Sequence, residues 1–104
     1  MGEDFAAEYL SEKGYEIIER NFNTRLGEID IVAQKKGQIV FVEVKRRATL
    51  EYGRPVEAVN LRKQNKIKKV AEMFLVENKA VCHDCRFDVI EILDEEISHI
   101  ENAF

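Results

Sequence analysis

The spacing of apolar positions changes repeatedly along this chain, and each change predicts an element. In EDFAAEYLSEKG, Ala6, Ala7 and Leu10 recur at three- and four-residue spacing, which predicts a helix with Glu3 on the same stripe and Gly14 suited to its C-terminal cap. YEIIERNF predicts a first strand and NTRLG a turn. EIDIVAQ and QIVFVEVKR predict two more strands joined by KKG, a hairpin connection with glycine at the turn. RATLEYGRP, punctuated by glycine and proline, reads as a loop. Helical spacing returns from about Val56 to Asn78, where Val59, Ile67, Val70, Ala71, Phe74 and Leu75 form the apolar face. Lys63 falls inside that face, whereas Arg62, Lys68 and Lys69 fall outside it. RFDVIEI supplies a last strand, and DEEISHIENAF a short tail anchored by Phe104.

The resulting order is α-β-β-β-α-β. A connection from the third strand through a long helix to the fourth is the kind that makes a right-handed parallel crossover, so the expected fold is α/β, a mixed central sheet flanked by helices. With 104 residues, 45% of them hydrophobic, and one proline, the chain is expected to form one domain over residues 1–104. No stretch approaches the roughly 18 consecutive apolar residues of a membrane span, and MGEDFAAEYL has no apolar signal core. Cytoplasmic residence away from any membrane is expected.

One strand is anomalous. In VFVEVKRR, Val40, Phe41, Val42 and Val44 suit a strand buried on both faces, yet Glu43 and Lys45 stand among them, and burying unpaired charge is costly. If Gln34 pairs with Ile39 around the KKG turn, Asp30 lies opposite Glu43, and alternation brings Asp30, Glu43 and Lys45 out on one face. Opposed carboxylates about 5 Å apart repel by roughly 3 kcal/mol at an effective dielectric near 20. A divalent cation offsets that repulsion, and Lys45 sits within reach of anything bound to it. Glu3 would add a third carboxylate if the first helix packs on this face. Two acids, a lysine and a following basic rim of Arg46, Arg47 and Arg54 suit phosphodiester hydrolysis. Alternatively, the acids meet Lys45 and nearby arginines as ion pairs on a wet sheet face.

Charge distribution changes the picture more than the net charge of −4. From Lys35 to Lys69 eleven Lys or Arg stand against three acids, an excess of +8 that leaves −12 on the remainder. Such a dipolar chain suits a basic working face on an acidic body. The CHDC motif, Cys82 to Cys85, has redox or zinc spacing but neither context: it runs into a strand rather than opening a helix, and only His83 and His99 offer further zinc ligands. Free thiols in a loop are expected there, with an intersubunit metal site or redox chemistry as alternatives.

An acid followed by an acid-x-lysine strand within this element order resembles the PD-(D/E)XK nuclease superfamily and its restriction endonuclease-like αβββαβ core. More narrowly, GEDFAAEYLSEKGYEIIERNF, GEIDIVA, FVEVKRR, the Gly53-Arg54-Pro55 loop, RKQ, RFDVIEI and HIENAF resemble, nearly end to end, the YraN-like family of predicted endonucleases. The resemblance implies a Mg²⁺- or Mn²⁺-dependent endodeoxyribonuclease, with Asp30 and Glu43 as metal-holding acids and Lys45 as the catalytic lysine. Similarity to archaeal Holliday-junction resolvases, which carry an acid on the first helix ahead of a Gly-aromatic pair, adds Glu3, eleven residues before Gly14-Tyr15. Lys63 and Gln64 match a Lys-Gln pair at the head of the long helix. There Lys63 either contacts phosphate or simply snorkels. Ile29 replaces the proline of the motif, a position that holds no metal. The partner implied is nucleic acid, DNA foremost, and a two-fold dimer would suit branched DNA. A non-catalytic nucleic-acid-binding module of the same fold is the alternative.

Overall fold

A computed structural model of the chain describes residues 2–47, 60–78 and 84–104. Helix α1 spans Gly2–Glu12, and strands β1 (Glu16–Thr24), β2 (Gly27–Lys35) and β3 (Gln38–Arg47) follow. Helix α2 spans Leu61–Glu77, and β4 (Cys85–Leu93) and β5 (Glu96–Ile100) complete the order. The strands form one five-stranded sheet in the order β1-β2-β3-β4-β5. Only β3 and β4 run parallel; the other neighbours are antiparallel. This is an α/β fold, a mixed sheet flanked by two helices and consistent with the αβββαβ core expected, extended by one strand.

That extra strand, β5, corrects the expectation of a tail. EISHI pairs back on β4 through a turn in which Asp94 and Glu95 take positive φ values of 48° and 71°. Two acidic residues in the left-handed region are not the Asn-Gly pair that normally advertises such a hairpin. The β2–β3 turn is orthodox: Lys36 and Gly37 have φ of 52° and 81°, so the glycine serves a position that side chains rarely adopt. Around it the ladder runs Lys35–Gln38, Gln34–Ile39, Ala33–Val40, Val32–Phe41 and Ile31–Val42, the register expected. The NTRLG turn is tighter than expected, because Asn23 and Thr24 still belong to β1. The Thr24 hydroxyl oxygen accepts the Leu26 and Gly27 amides at 3.0 and 3.2 Å.

Each face of the sheet carries one helix. α1 buries Ala6 and Leu10 with Tyr15, Ile31, Ala33, Val40, Val42, Ile90 and Ile92. It stops at Gly14, whose φ of 93° lets the Tyr15 amide reach the Leu10 carbonyl at 3.0 Å and its own amide reach that of Ser11 at 3.1 Å, a Schellman closure. α2 buries Ile67, Val70, Ala71 and Phe74 against Phe22, Ile29, Val32, Phe41 and Val89. Phe74 meets Phe22 and Phe41 edge-on, and Phe104 stacks on Phe87 at 5.4 Å, which makes it the anchor expected. Asn60 caps α2 by accepting the Lys63 amide at 2.9 Å; the expected first turn, from Val56 to Val59, lies outside the described residues.

A fully buried Asp88, registered beside Val42 and so on the α1 face of the sheet opposite Glu43, ties the fold together. Arg86 donates to both its oxygens at 2.9 and 2.8 Å, the Asn102 amide donates at 3.0 Å, and His99 Nε2 lies 2.7 Å away. His99 Nδ1 meets the Tyr9 hydroxyl at 3.2 Å, so its ring is committed to this clamp rather than to a zinc site. Cys85 is disulfide-bonded, which corrects the expectation of a free thiol there. Cys82 and His83 lie outside the described residues. Among the described residues no helix is long and apolar enough to cross a membrane.

Candidate active site

β3 is a central strand, so its two sets of side chains enter two different layers. Val40, Val42 and Val44 face α1, while Ile39 and Phe41 face α2. Strand alternation therefore sends Glu43 and Lys45 to the α2 side. Glu43 is 9% exposed.

β2 is less regular. Ile31 and Ala33 pack in the α1 layer and Val32 in the α2 layer, as alternation requires, but Ile29 also packs in the α2 layer. The pleat slips between Ile29 and Ile31, where the β1–β2 ladder keeps its register from Arg20–Ile31 to Phe22–Ile29 but skips Asn21 and Asp30, and Asn21 has a φ of 54°; the register shift of this strand pair lies between Ile17 and Glu19. Asp30 occupies the slip. The β2–β3 ladder ends at Ile31–Val42, one step short of the expected Asp30–Glu43 pair, and Asp30 Oδ2 instead accepts the Val44 amide at 2.8 Å. A side-chain oxygen thus replaces the backbone partner that β2 withdraws. Burial pushes the Asp30 carboxyl up to about 7, with Glu43 beside it and Glu3 farther off adding to the rise, against the pull of the Val44 amide.

Two lysines converge on Glu43. Lys63 Nζ lies 2.6 Å and Lys45 Nζ 3.6 Å from Glu43 Oε2. Burial lowers the Lys45 pKa and the neighbouring Lys63 charge lowers it further, although Glu43 opposes both. For Lys63, burial works against the charge but Glu43 outweighs it, leaving its pKa raised. The two ammonium groups are thereby differentiated: Lys63 keeps its proton firmly, while Lys45 gives one up more readily than an ordinary lysine. Position inside the apolar face of the helix foretold that Lys63 points inward, but not that it meets Glu43.

The remaining expected residues do not all gather here. α1 packs on the opposite face, so the condition for Glu3 to complete the carboxylate set is not met. Glu3 lines a cavity of about 360 Å³ with Gly2, Arg20, Val44 and Arg46, and it reaches Asp30 only as a charge. Arg46 shares that α1-side cavity because alternation separates it from Lys45. Arg47 ends β3, but its side chain lies outside the described residues, as does all of Arg54 with Tyr52 and the Gly53–Pro55 loop. Gln64 follows Lys63 in the first turn of α2 and is half-buried. Glu91 was not among the residues expected. It is 3% exposed and registered beside Lys45 across the parallel β3–β4 pair. Val89, two residues earlier, packs in the α2 layer, so Glu91 shares the face of Glu43. The signal was present: an acid inside VIEI is the same anomaly as Glu43 inside VFVEV.

Among the described residues no group of three or more His, Cys, Asp or Glu is placed to hold a metal ion. Asp30 and Glu43 nonetheless form a pair of hard oxygen donors, and burial first and the Glu43 charge second push the Asp30 pKa up. Magnesium is commonly held by only one or two carboxylates together with water and substrate phosphates, so the donor set fits such an ion.

The family model described as "Uncharacterised protein family UPF0102" matches residues 2–92. A UPF0102 protein of Lachnoclostridium phytofermentans is 52% identical over 100 residues, spanning 95% of this chain and 85% of the relative. One from Caldanaerobacter subterraneus subsp. tengcongensis is 46% identical over 111 residues, spanning 100% and 91%. One from Persephonella marina is 47% identical over 103 residues, spanning 99% and 89%.

Proposed function

The chain belongs to the uncharacterised protein family UPF0102, and on that footing we propose that it is a metal-dependent endonuclease that hydrolyses phosphodiester bonds in DNA, branched or otherwise structured DNA in particular. The observation that carries this reading is the carboxylate pair itself: Asp30, inserted where β2 leaves β3, stands beside Glu43 with Lys45 on the same strand. The αβββαβ core and the Asp30, Glu43-x-Lys45 arrangement support membership of the PD-(D/E)XK superfamily.

Asp30 and Glu43 would hold Mg²⁺ or Mn²⁺, which when bound polarises the phosphate and acidifies a water. These two carboxylates would hold the ion, and the hydrogen bond to the Val44 amide turns Asp30 toward β3 rather than away from it. Lys45, with its lowered pKa, accepts a proton from the attacking water or bears against the developing negative charge. The excess of Lys and Arg between Lys35 and Lys69, which includes Arg46, Arg47, Arg54, Lys63 and, beside it, the polar Gln64, supports retention of the phosphate backbone. The protein acts in the cytoplasm on this reading, and a two-fold dimer would match the symmetry of a branched substrate.

One observation favours a second reading, a non-catalytic nucleic-acid-binding module. Glu43 already has an ammonium partner at 2.6 Å, as a purely structural acid would. Calorimetric metal titration together with DNA-binding anisotropy separates the two. The nuclease reading expects Mg²⁺ or Mn²⁺ uptake that Asp30→Ala or Glu43→Ala abolishes. No uptake at millimolar metal, with DNA binding weakened by charge reversal at Arg46, Arg47 and Lys63 but not by Asp30→Asn, would replace it with the module.

A further inference from the structure

The distance of 2.6 Å between Lys63 Nζ and Glu43 Oε2 places a positive charge on the very oxygen that the proposed function assigns to a cation. An ammonium at that distance occupies one lone pair of the oxygen and repels a divalent ion brought beside it, so the two cations compete for Glu43. Resting on the nuclease reading, we propose that Lys63 is the stand-in counter-ion of the metal position: it holds Glu43 while no cation is bound, yields when one enters, and then presents its ammonium to a phosphate of the nucleic acid.

Three features make the exchange feasible. First, the backbone of Lys63 is fixed, since its amide is held by the Asn60 cap at 2.9 Å, so only the four-carbon stem has to move. Second, the ammonium end approaches from solvent: the Lys63 side chain is 42% exposed, whereas that of Glu43 is only 10% exposed. The lysine can therefore leave while the carboxylate stays. Third, a space of about 90 Å³ opens beside Lys63, walled by Glu28, Lys66, Ile67 and Val70 among others, and it gives the stem room without disturbing the core. Lys45 is not the displaced group, because its ammonium stands off at 3.6 Å and its side chain is less open to solvent than that of Lys63.

This arrangement has a function beyond stability. It neutralises Glu43 in the empty protein, so the carboxylate pair does not have to bear its full repulsion before the metal arrives. It also couples the two ligands, since the charge that the metal expels becomes available to the substrate only once the metal is in place.

The test is a Mn²⁺ titration of the full chain followed by water proton relaxation, comparing wild type with Lys63→Met and Lys63→Arg. Removing the competing ammonium is expected to tighten Mn²⁺ binding about threefold to tenfold in Lys63→Met, as befits a half-exposed pair, while Lys63→Arg stays within about twofold of wild type. Unchanged or weaker binding by Lys63→Met, in a protein whose wild type does bind Mn²⁺, overturns the stand-in role and leaves the metal reading intact. Absence of Mn²⁺ binding in both wild type and Lys63→Met overturns the metal reading itself. If Lys63→Met fails to fold, Lys63→Gln carries the same comparison.

Discussion

Asp30→Asn should make the metal-free protein more stable at pH 8, and the gain should disappear below about pH 4. The half-buried Asp30 carboxyl has its pKa raised from 3.8 to about 7 on folding, through burial and the company of Glu43 and Glu3. A raised acid binds more protons folded than unfolded between those two values, so stability falls as pH rises through that window and stays low above it. Taken at face value the gap corresponds to about 4 kcal/mol, at about 1.36 kcal/mol per tenfold. Part of the carboxyl is open to solvent, which screens it, so about 2 kcal/mol is the figure to expect. The asparagine side chain introduced by Asp30→Asn keeps an oxygen for the Val44 amide, now held at 2.8 Å, and offers its amide hydrogens to Glu43. For a chain of this size that gain corresponds to roughly 8–16 °C in Tm. Thermal denaturation in a chelating buffer from pH 4 to pH 8.5 reads it directly. Equal or lower stability of Asp30→Asn at pH 8, or a gain that does not vary with pH, would refute the account of Asp30 as a strained carboxylate.

Two further predictions concern the other charged groups. The lowered Lys45 pKa should place a limb of a cleavage pH profile below the ordinary lysine value of about 10.4, rising if the neutral amine takes the proton and falling if the ammonium bears the developing charge, and Lys63→Met should move that limb upward because the Lys63 charge is among its causes; a limb unmoved by that change would argue against the coupling. Asp88→Ala should cost about 3–5 kcal/mol in urea denaturation at neutral pH, since it strands Arg86 and His99 beside a buried hole. Burial alone would raise the Asp88 pKa, but His99, Arg86 and the Asn102 amide outweigh it and leave it lowered, so the wild type should lose this contribution as pH falls through that depressed value. A loss below about 1 kcal/mol for Asp88→Ala would mean that the clamp is only decorative.

What the sequence made legible follows from local rules. The KKG turn fixes a register, the register brings Asp30 toward Glu43, and alternation adds Lys45 to the face of Glu43. All of these need only neighbours in the chain. The place of Glu3 was legible only as a condition, because it depends on which face of the sheet α1 covers. Val40, Val42 and Val44 make one face of β3 apolar, and Ile39 and Phe41 do the same for the other, so either helix suits either side. Glu91 escaped for a related reason, since the β3–β4 register is set by a long crossover rather than a turn. The slip at Asp30 has a faint local trace in Asn21, a residue type that tolerates positive φ. β5 went unseen because Asp94 and Glu95 lack the composition of a hairpin turn. In each case the missing information was tertiary: which faces meet, and how far the strands slide.

The central claim is that Asp30, Glu43 and Lys45 cut phosphodiester bonds, and cleavage of fluorescently labelled linear, flapped and four-way DNA in Mg²⁺ or Mn²⁺ tests it most directly. Wild type is expected to cleave at least one of these substrates in a metal-dependent way, with activity lost in both Asp30→Ala and Lys45→Ala while each variant remains folded. Persistent cleavage in both variants, or none by wild type on any substrate despite intact DNA binding, would contradict the claim.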